Sequence, residues 1–146
     1  MNLMFSMTFP AYHPRTGQQT GFVEKILAGT KIHTVRKGYN LWKRFDGKRV
    51  ALNVWEGKPY RSKVVPFATA VLSVDKIAGY DFIVGRPGIH FTRDILGTPF
   101  SWEEFSYDDG LTLEDFLSWF KNDKYSLVGC ACIWFDDVKP MGHYDH

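Results

Sequence analysis

The sequence predicts one α+β domain over residues 1–146, with a mostly antiparallel, curved sheet and helices at its ends. Three observations predict this class. Short runs rich in β-branched and aromatic residues alternate with turn residues through the first half of the chain, as in a β-meander. Two segments with helix-capping signals follow, beginning at Ser101 and Thr112. The last apolar run, YSLVGCACIWF (125–135), is typical of a strand that is buried on both faces or that closes a barrel between its neighbours.

The N-terminal half alternates strand and helix signals. In order, we expect a strand over MNLMFSMTF (1–9), a helix from Thr20 or Gly21 to Leu27, a strand over KIHTVR (31–36), a basic and aromatic turn region (37–48) and a strand over RVALNVW (49–55). Period-two alternation predicts that Phe5, Met7 and Phe9 share one face of the first strand. Gly29 suits the left-handed conformation that often follows the end of a helix.

The strand over residues 31–36 carries most of the polar chemistry of this half. Alternation places Ile32, Thr34 and Arg36 on one face and Lys31, His33 and Val35 on the other. A kink near Lys31 would change that partition.

The C-terminal half changes from strand to helix signals. We expect YRSKVVPFATAVLSVDKI (60–77) to form one long strand, or two short strands interrupted at Pro66, because proline cannot donate to a ladder. YDFIV and GIHF, between residues 79 and 98, resemble short strands. Ser101 with Glu104, and Thr112 with Asp115, have capping-box spacing, and the second pair opens the helical segment LEDFLSWF (113–120).

Composition excludes several classes of protein. The net charge is only +2 and the pI is near 8.5, so a polybasic mode of nucleic-acid binding is not expected. No apolar run approaches the roughly 18 residues that a membrane span requires. Cys130 and Cys132 form a C-x-C that, in a strand, faces one side and does not easily bridge, so we expect a reducing, cytoplasmic setting.

The sequence predicts no metal site and no cofactor. The histidines lack ligand spacing except in HYDH (143–146), which we interpret as a terminal tail, and the two cysteines lack a second ligand pair. A serine-hydrolase elbow and phosphate-cradling glycine loops are also absent from the sequence.

Four segments, in order, resemble the ASCH domain of the PUA-like superfamily, especially its short bacterial and phage versions. They are ILAGTKIHTVRKG, DGKRVALNVWEGKPY, DDGLTLEDFLSWF and GCACIWF, and the resemblance runs from about Phe9 to Trp134. Its strongest part is G-x-K-x-x-T-x-R, matched by Gly29, Lys31, Thr34 and Arg36. The resemblance implies a small PUA-like β-barrel with flanking helices, a cleft around Lys31, and a role connected with RNA or modified nucleosides.

One branch of that superfamily is an amidohydrolase that removes the acetyl group from N4-acetylcytidine with a lysine, a threonine three residues later and a downstream glutamate. The resemblance implies Lys31, Thr34 and Asp109 as the corresponding catalytic residues. Asp109 is a shorter carboxylate where the family has a glutamate. A threonine hydroxyl needs a base to become a nucleophile, and a lysine serves as one only when its pKa is lowered.

A binding function needs no activated nucleophile and no lowered pKa in the same segment. Arg36 can stack on a base or grip a phosphate, with His33 beside it and Lys37 supplying further charge. Tyr39 and Trp42 offer stacking faces, although Trp42 can equally anchor its loop into the core. Three further tryptophans, Trp55, Trp119 and Trp134, are expected in the core. Two functions therefore stay open: binding of RNA or a modified nucleoside, and deacylation of an N4-acylated cytidine.

Overall fold

The computed structural model describes residues 3–57, 61–83, 86–91, 101–120 and 127–141. Their elements, in chain order, are β1 (Leu3–Met4), α1 (Phe22–Ala28), β2 (His33–Arg36), α2 (Tyr39–Trp42), β3 (Arg49–Trp55), β4 (Val64–Ile83), β5 (Arg86–Phe91), α3 (Trp102–Asp108), α4 (Leu113–Trp119) and β6 (Ala131–Pro140). A 3₁₀ turn follows α2, so the predicted turn region is partly helical. The predicted α+β class is confirmed.

The strands form one mixed sheet in the order β1-β3-β4-β6-β2, and β5 pairs with the far part of β4. The β1–β3 pairing is parallel and the others are antiparallel. The five-strand path curls into a half-barrel. Across the opening of the curl, the Arg36 guanidinium in β2 donates a hydrogen bond to the backbone oxygen of Met4 in β1. One side chain thus links the two edge strands.

Helix boundaries follow the local signals. Ser101 Oγ accepts the N–H of Glu104 at 3.1 Å, and Thr112 Oγ1 accepts the N–H of Asp115 at 3.1 Å. Helix α1 ends at Gly29, which has φ of 81° in the left-handed region. These contacts confirm the predicted caps at Ser101 and Thr112 and the predicted glycine at the end of α1. Each of them satisfies backbone groups that a helix leaves unpaired at its ends.

The terminal apolar strand lies inside the sheet, as predicted. Strand β6 pairs with β4 on one side and β2 on the other. Its first residues, Ala131, Cys132 and Ile133, are fully buried. The strand begins later than the apolar run because Gly129, with φ of 86°, lies in a turn before it. Cys130 and Cys132 are both buried and do not form a disulfide with each other.

The first strand is much shorter than predicted. Within the described residues, the ladder with β3 covers Leu3–Met4, and the N–H of Phe5 donates to the oxygen of Asn53 at 2.9 Å. The expected shared face is wrong for Met7, which is 38% exposed while Phe5 and Phe9 are buried. After β1 the chain turns, and the oxygen of Met7 accepts the N–H of Thr20 at 2.9 Å. Side chains alternate between two faces only within a strand, so the period-two pattern does not predict where Met7 points once the strand has ended.

Strand β4 is continuous through its proline. Asn53 pairs with Pro66 and Leu52 pairs with Ala68, which leaves Phe67 as an extra residue in β4. A bulge is where a strand tolerates a residue without an N–H donor. Phe67 is fully buried. The proline therefore marks an irregularity and not a break.

Aromatic rings make up much of the core. Phe5 packs edge-on against Phe67 and Phe135, with ring centroids 6.0 and 5.6 Å apart. Phe105 packs edge-on against Phe116 at 5.7 Å, which joins α3 to α4. Within the residues that the structure describes, no helix has the length and apolar character needed to cross a membrane.

Candidate functional site

A cavity of about 90 Å³ is enclosed by the start of β2, helix α1 and the residues on either side of α4. This volume is enough for several water molecules, because one water needs roughly 10 to 15 Å³ of such space. Its polar lining includes Lys31, Thr34, Arg36 and Asp109. Its aromatic lining is Phe22, Trp119 and Phe120. The chain therefore builds one small polar cavity with aromatic walls.

The way the chain runs from α1 into β2 lets the side chains of Lys31 and Thr34 line the same cavity. The N–H of Lys31 donates to the oxygen of Lys25 at 3.1 Å, and that of Ile32 donates to the oxygen of Asp108 at 2.8 Å. Strand β2 begins only after them, at His33. Lys31 is therefore outside the strand, and strand alternation does not separate it from Thr34, so both side chains line the cavity.

The Lys31 side chain is 2% exposed and held by backbone oxygens. Its Nζ donates to the oxygen of His33 at 3.0 Å and to that of Asp109 at 2.6 Å. The same nitrogen lies 4.5 Å from the ring centroid of Phe22 and 5.8 Å from that of Phe5. These contacts fix the amine and supply partial compensation for its removal from water.

Burial lowers the pKa of Lys31 from 10.5 to about 8. The nearby Asp109 carboxylate opposes this change, whereas the positive charge of Arg36 adds to it. Near pH 8 both the charged and the neutral amine are therefore populated. A neutral amine has two N–H groups, which the two carbonyl oxygens accept, and this leaves its lone pair uncommitted.

Asp109 lies at the C-terminal end of α3, directly after its last residue. Its N–H donates to the oxygens of Phe105 and Ser106, both at 3.1 Å. Helix α4 is instead capped by Thr112. Asp109 is buried, and its backbone oxygen and carboxylate both face Lys31.

His33 is fully buried and contacts the same carboxylate. Its Nδ1 lies 3.0 Å from Asp109 Oδ1, and Lys31 Nζ lies 3.6 Å from that oxygen. The imidazole packs on Phe105, with centroids 4.4 Å apart and planes at 30°, and edge-on against Trp134 at 4.7 Å. The structure thus places His33 behind Asp109 and not on the cavity wall.

Thr34 and Arg36 approach the cavity from β2. Thr34 is 6% exposed and pairs with Ile133 in the ladder. Arg36 is half-buried, bonds to Met4 and lies with its guanidinium carbon 5.4 Å from the ring centroid of Phe5. Arg36 therefore links strands as well as lining the cavity.

The other predicted binding residues lie elsewhere. Lys37 is exposed, Tyr39 lies 5.8 Å from the Nζ of Lys76, and Trp42 packs against Phe45 at 5.9 Å. None of Lys37, Tyr39 and Trp42 is among the cavity-lining residues in the part of the chain that the structure describes. Trp42 is partly buried against the core, which corresponds to the anchoring alternative.

Sequence reasoning missed the aromatic walls. Trp119 was expected in the core, but it is partly buried, packs on Phe22 at 5.7 Å and lines the cavity. Phe120 lines the cavity beside it. Both lie at the C-terminal end of α4, beyond its buried residues Asp115 and Phe116. That position is the signal that could have separated them from Phe116, which is 1% exposed.

A second, more open cavity of about 440 Å³ lies on the other side of Gly110. Its lining includes Glu103, Tyr107 and Thr112, which are exposed, and Lys25, whose Nζ already donates to the oxygen of Gly110 at 2.7 Å. We take the smaller cavity as the candidate site because buried polar groups converge on it.

Metal ligation has no support in the described residues, where no cluster of three or more histidine, cysteine or carboxylate side chains could hold an ion. The HYDH segment lies outside those residues. The fold and the cavity define an α+β domain with a small cavity on which buried polar groups converge. Comparisons of the sequence with family models, curated proteins and solved structures find no match.

Proposed function

We propose that this protein is an ASCH-type domain that binds a modified nucleoside, free or within RNA, with part of the base or its substituent in the Lys31 cavity. The observation that carries the proposal is the convergence of Lys31, Thr34, Arg36 and Asp109 on one cavity with aromatic walls. Lys31, Thr34 and Arg36 belong to the motif that resembles the ASCH family.

The chemistry of the cavity suits a nucleobase. A base presents hydrogen-bond donors and acceptors on its edges and a flat face for stacking. Lys31 and Arg36 supply donors, Asp109 supplies acceptors, and Trp119 supplies an indole face. The cavity is too small for a whole nucleotide, so the sugar and any flanking RNA lie outside it. Few phosphate contacts, and hence a shallow salt dependence, follow from that arrangement.

Hydrolysis of an acylated amine, such as N4-acetylcytidine, is the second candidate. It is favoured by the lowered pKa of Lys31, about 8, in a cavity that Thr34 also lines. In this mechanism the neutral Lys31 amine takes the Thr34 hydroxyl proton and the oxygen attacks the acyl carbon. The C–N bond then breaks, the leaving amine takes a proton, and water hydrolyses the threonine ester.

The test is titration of cytidine, N4-acetylcytidine and short single-stranded RNA against the wild type, Trp119→Ala and Trp42→Ala. Because base stacking contributes roughly 1 to 3 kcal/mol, we expect Trp119→Ala to weaken binding roughly 5- to 150-fold. Trp42→Ala is the matched control outside the cavity and should bind like the wild type. If no ligand binds at low salt, or if only Trp42→Ala weakens binding, the proposal is wrong.

The same samples separate binding from hydrolysis. Cytidine release from N4-acetylcytidine that is lost in Thr34→Val, with binding retained, supports the enzyme. Binding of N4-acetylcytidine with no release by the wild type supports the binding domain alone. Valine keeps the shape of threonine in a strand and removes only the hydroxyl.

A further inference from the structure

Two donors of different strength compete for one oxygen in the Lys31 site. Asp109 Oδ1 lies 3.0 Å from His33 Nδ1 and 3.6 Å from Lys31 Nζ. The first distance is that of a hydrogen bond, and the second is that of an ion pair longer than an ordinary hydrogen bond, through which Asp109 already raises the Lys31 pKa. The Lys31 ammonium instead bonds to backbone oxygens, so the closest carboxylate to the amine is occupied by the histidine.

The histidine is held for this role by its surroundings. Its ring is fully buried between Phe105 and Trp134, so it has no room to turn away. A carboxylate oxygen only accepts, so the proton of the shared bond is on Nδ1. Within the described part of the chain, His33 Nε2 has no hydrogen-bond partner.

We propose that His33 is a positioning residue: by binding Asp109 Oδ1 at 3.0 Å, it holds that carboxylate 3.6 Å from Lys31, in a longer ion pair that leaves the amine available inside the cavity. Without the histidine donor, Oδ1 would accept from the ammonium, which has a third N–H beyond the two that the carbonyl oxygens take. The ion pair would then shorten to a charge-assisted hydrogen bond, which favours the charged form of the lysine more strongly.

This inference deepens the proposed function, since it concerns the amine that the ligand would meet, but its test uses no ligand and so fails separately. The measurement is the Lys31 pKa, followed by NMR titration of isotope-labelled lysine side chains and assigned by the signal that Lys31→Met removes. The other groups that act on Lys31 are Asp109, Arg36 and the Cys132 thiol, whose own pKa is raised by burial, so it stays neutral through the titration.

The matched variants differ only in where they place a donor. His33→Asn puts an amide N–H near the position of Nδ1 and should leave the Lys31 pKa close to about 8. His33→Phe keeps a ring of similar shape without the donor, and the Lys31 pKa should rise by about one unit because the carboxylate is released to the ammonium. Rescue by asparagine but not by phenylalanine separates positioning from packing.

If His33→Phe does not fold, His33→Gln takes its place, because its longer side chain carries the N–H away from Oδ1. The same rise is expected. A Lys31 pKa that stays unchanged or falls in the donor-free variant overturns the proposal. So does an equal rise in His33→Asn, since the donor at Nδ1 would then be irrelevant. Nucleoside binding in the wild type is a separate result and does not enter this comparison.

Discussion

Replacing Lys31 with methionine should change how stability depends on pH. The folded-state pKa of Lys31 is lowered from 10.5 to about 8, so the unfolded chain binds more protons than the folded chain between these pH values. Stability therefore rises with pH across this window. Below pH 8 the cost of burying the charged amine is fully present, and above 10.5 it is absent. Methionine has no charge to bury, so the variant lacks this dependence.

The magnitude follows from the size of the shift. One pKa unit corresponds to about 1.36 kcal/mol, so a change from 10.5 to about 8 amounts to roughly 3 kcal/mol in total. Between pH 7 and pH 10, the wild type should gain roughly 2 to 3 kcal/mol of unfolding free energy relative to Lys31→Met. The variant also leaves two backbone oxygens, of His33 and Asp109, without their donor. That loss, about 1 to 3 kcal/mol for each group, lowers the unfolding free energy of the variant by the same amount at every pH, so it does not change how the unfolding free energy depends on pH.

The assay is urea denaturation of both proteins at pH 7, 8, 9 and 10, because urea does not screen charges. Subtracting the two curves removes the titration of groups that both proteins share. Lys43→Met, at an exposed lysine, controls for the loss of one positive charge. Parallel pH curves for the wild type and Lys31→Met would refute the reasoning, because a buried amine with a lowered pKa requires them to diverge.

Two smaller changes test how the site is supported. Gly110→Ala should cost about 1 to 2 kcal/mol for the left-handed backbone alone and more for contact, because an added Cβ would lie 3.0 Å from Lys31 Cδ and φ is 84°. Gly17→Ala is the control for the backbone cost alone, because Gly17 has φ of 81° and no atom lies within 4 Å of the added Cβ. If chemical denaturation gives equal losses of unfolding free energy for the two variants, the added methyl group at position 110 does not clash with Lys31. Thr112→Ala should lower the unfolding free energy by about 1 kcal/mol, while Thr112→Ser, which keeps the capping oxygen, should restore most of it; an alanine variant as stable as the wild type would contradict the cap.

Local signals in the sequence were sufficient where neighbours in the chain decide the structure. The end of α1 at Gly29, the caps at Ser101 and Thr112, and the interior position of β6 were predicted because each depends on a few adjacent residues or on unbroken hydrophobicity. The length of β1 was not, because the chain leaves the sheet to pair Met7 with Thr20, and no local pattern records that contact.

The candidate site also combines residues that local sequence signals predicted with residues that they did not. Lys31 and Thr34 were selected by a motif and Asp109 by the family resemblance, and the structure brings all three to one cavity. His33 was predicted as a binding residue and Trp119 as a core residue, but the contact of His33 with Asp109 and the position of the Trp119 indole on the cavity were not predicted. Each depends on contacts between residues more than seventy positions apart. A periodic pattern states which face of an element is apolar, but not which distant residue that face meets.

Arg36 shows why a motif position and a function cannot be equated residue by residue. Its guanidinium bonds to the oxygen of Met4 across the opening of the half-barrel, and it lies over the ring of Phe5. The same side chain adds to the lowering of the Lys31 pKa and lines the cavity. Loss of binding in Arg36→Ala would therefore combine an altered edge of the sheet, an altered amine and a lost ligand contact. Trp119→Ala reports on the ligand more directly, because its indole lines the cavity and is not part of the sheet that shapes it.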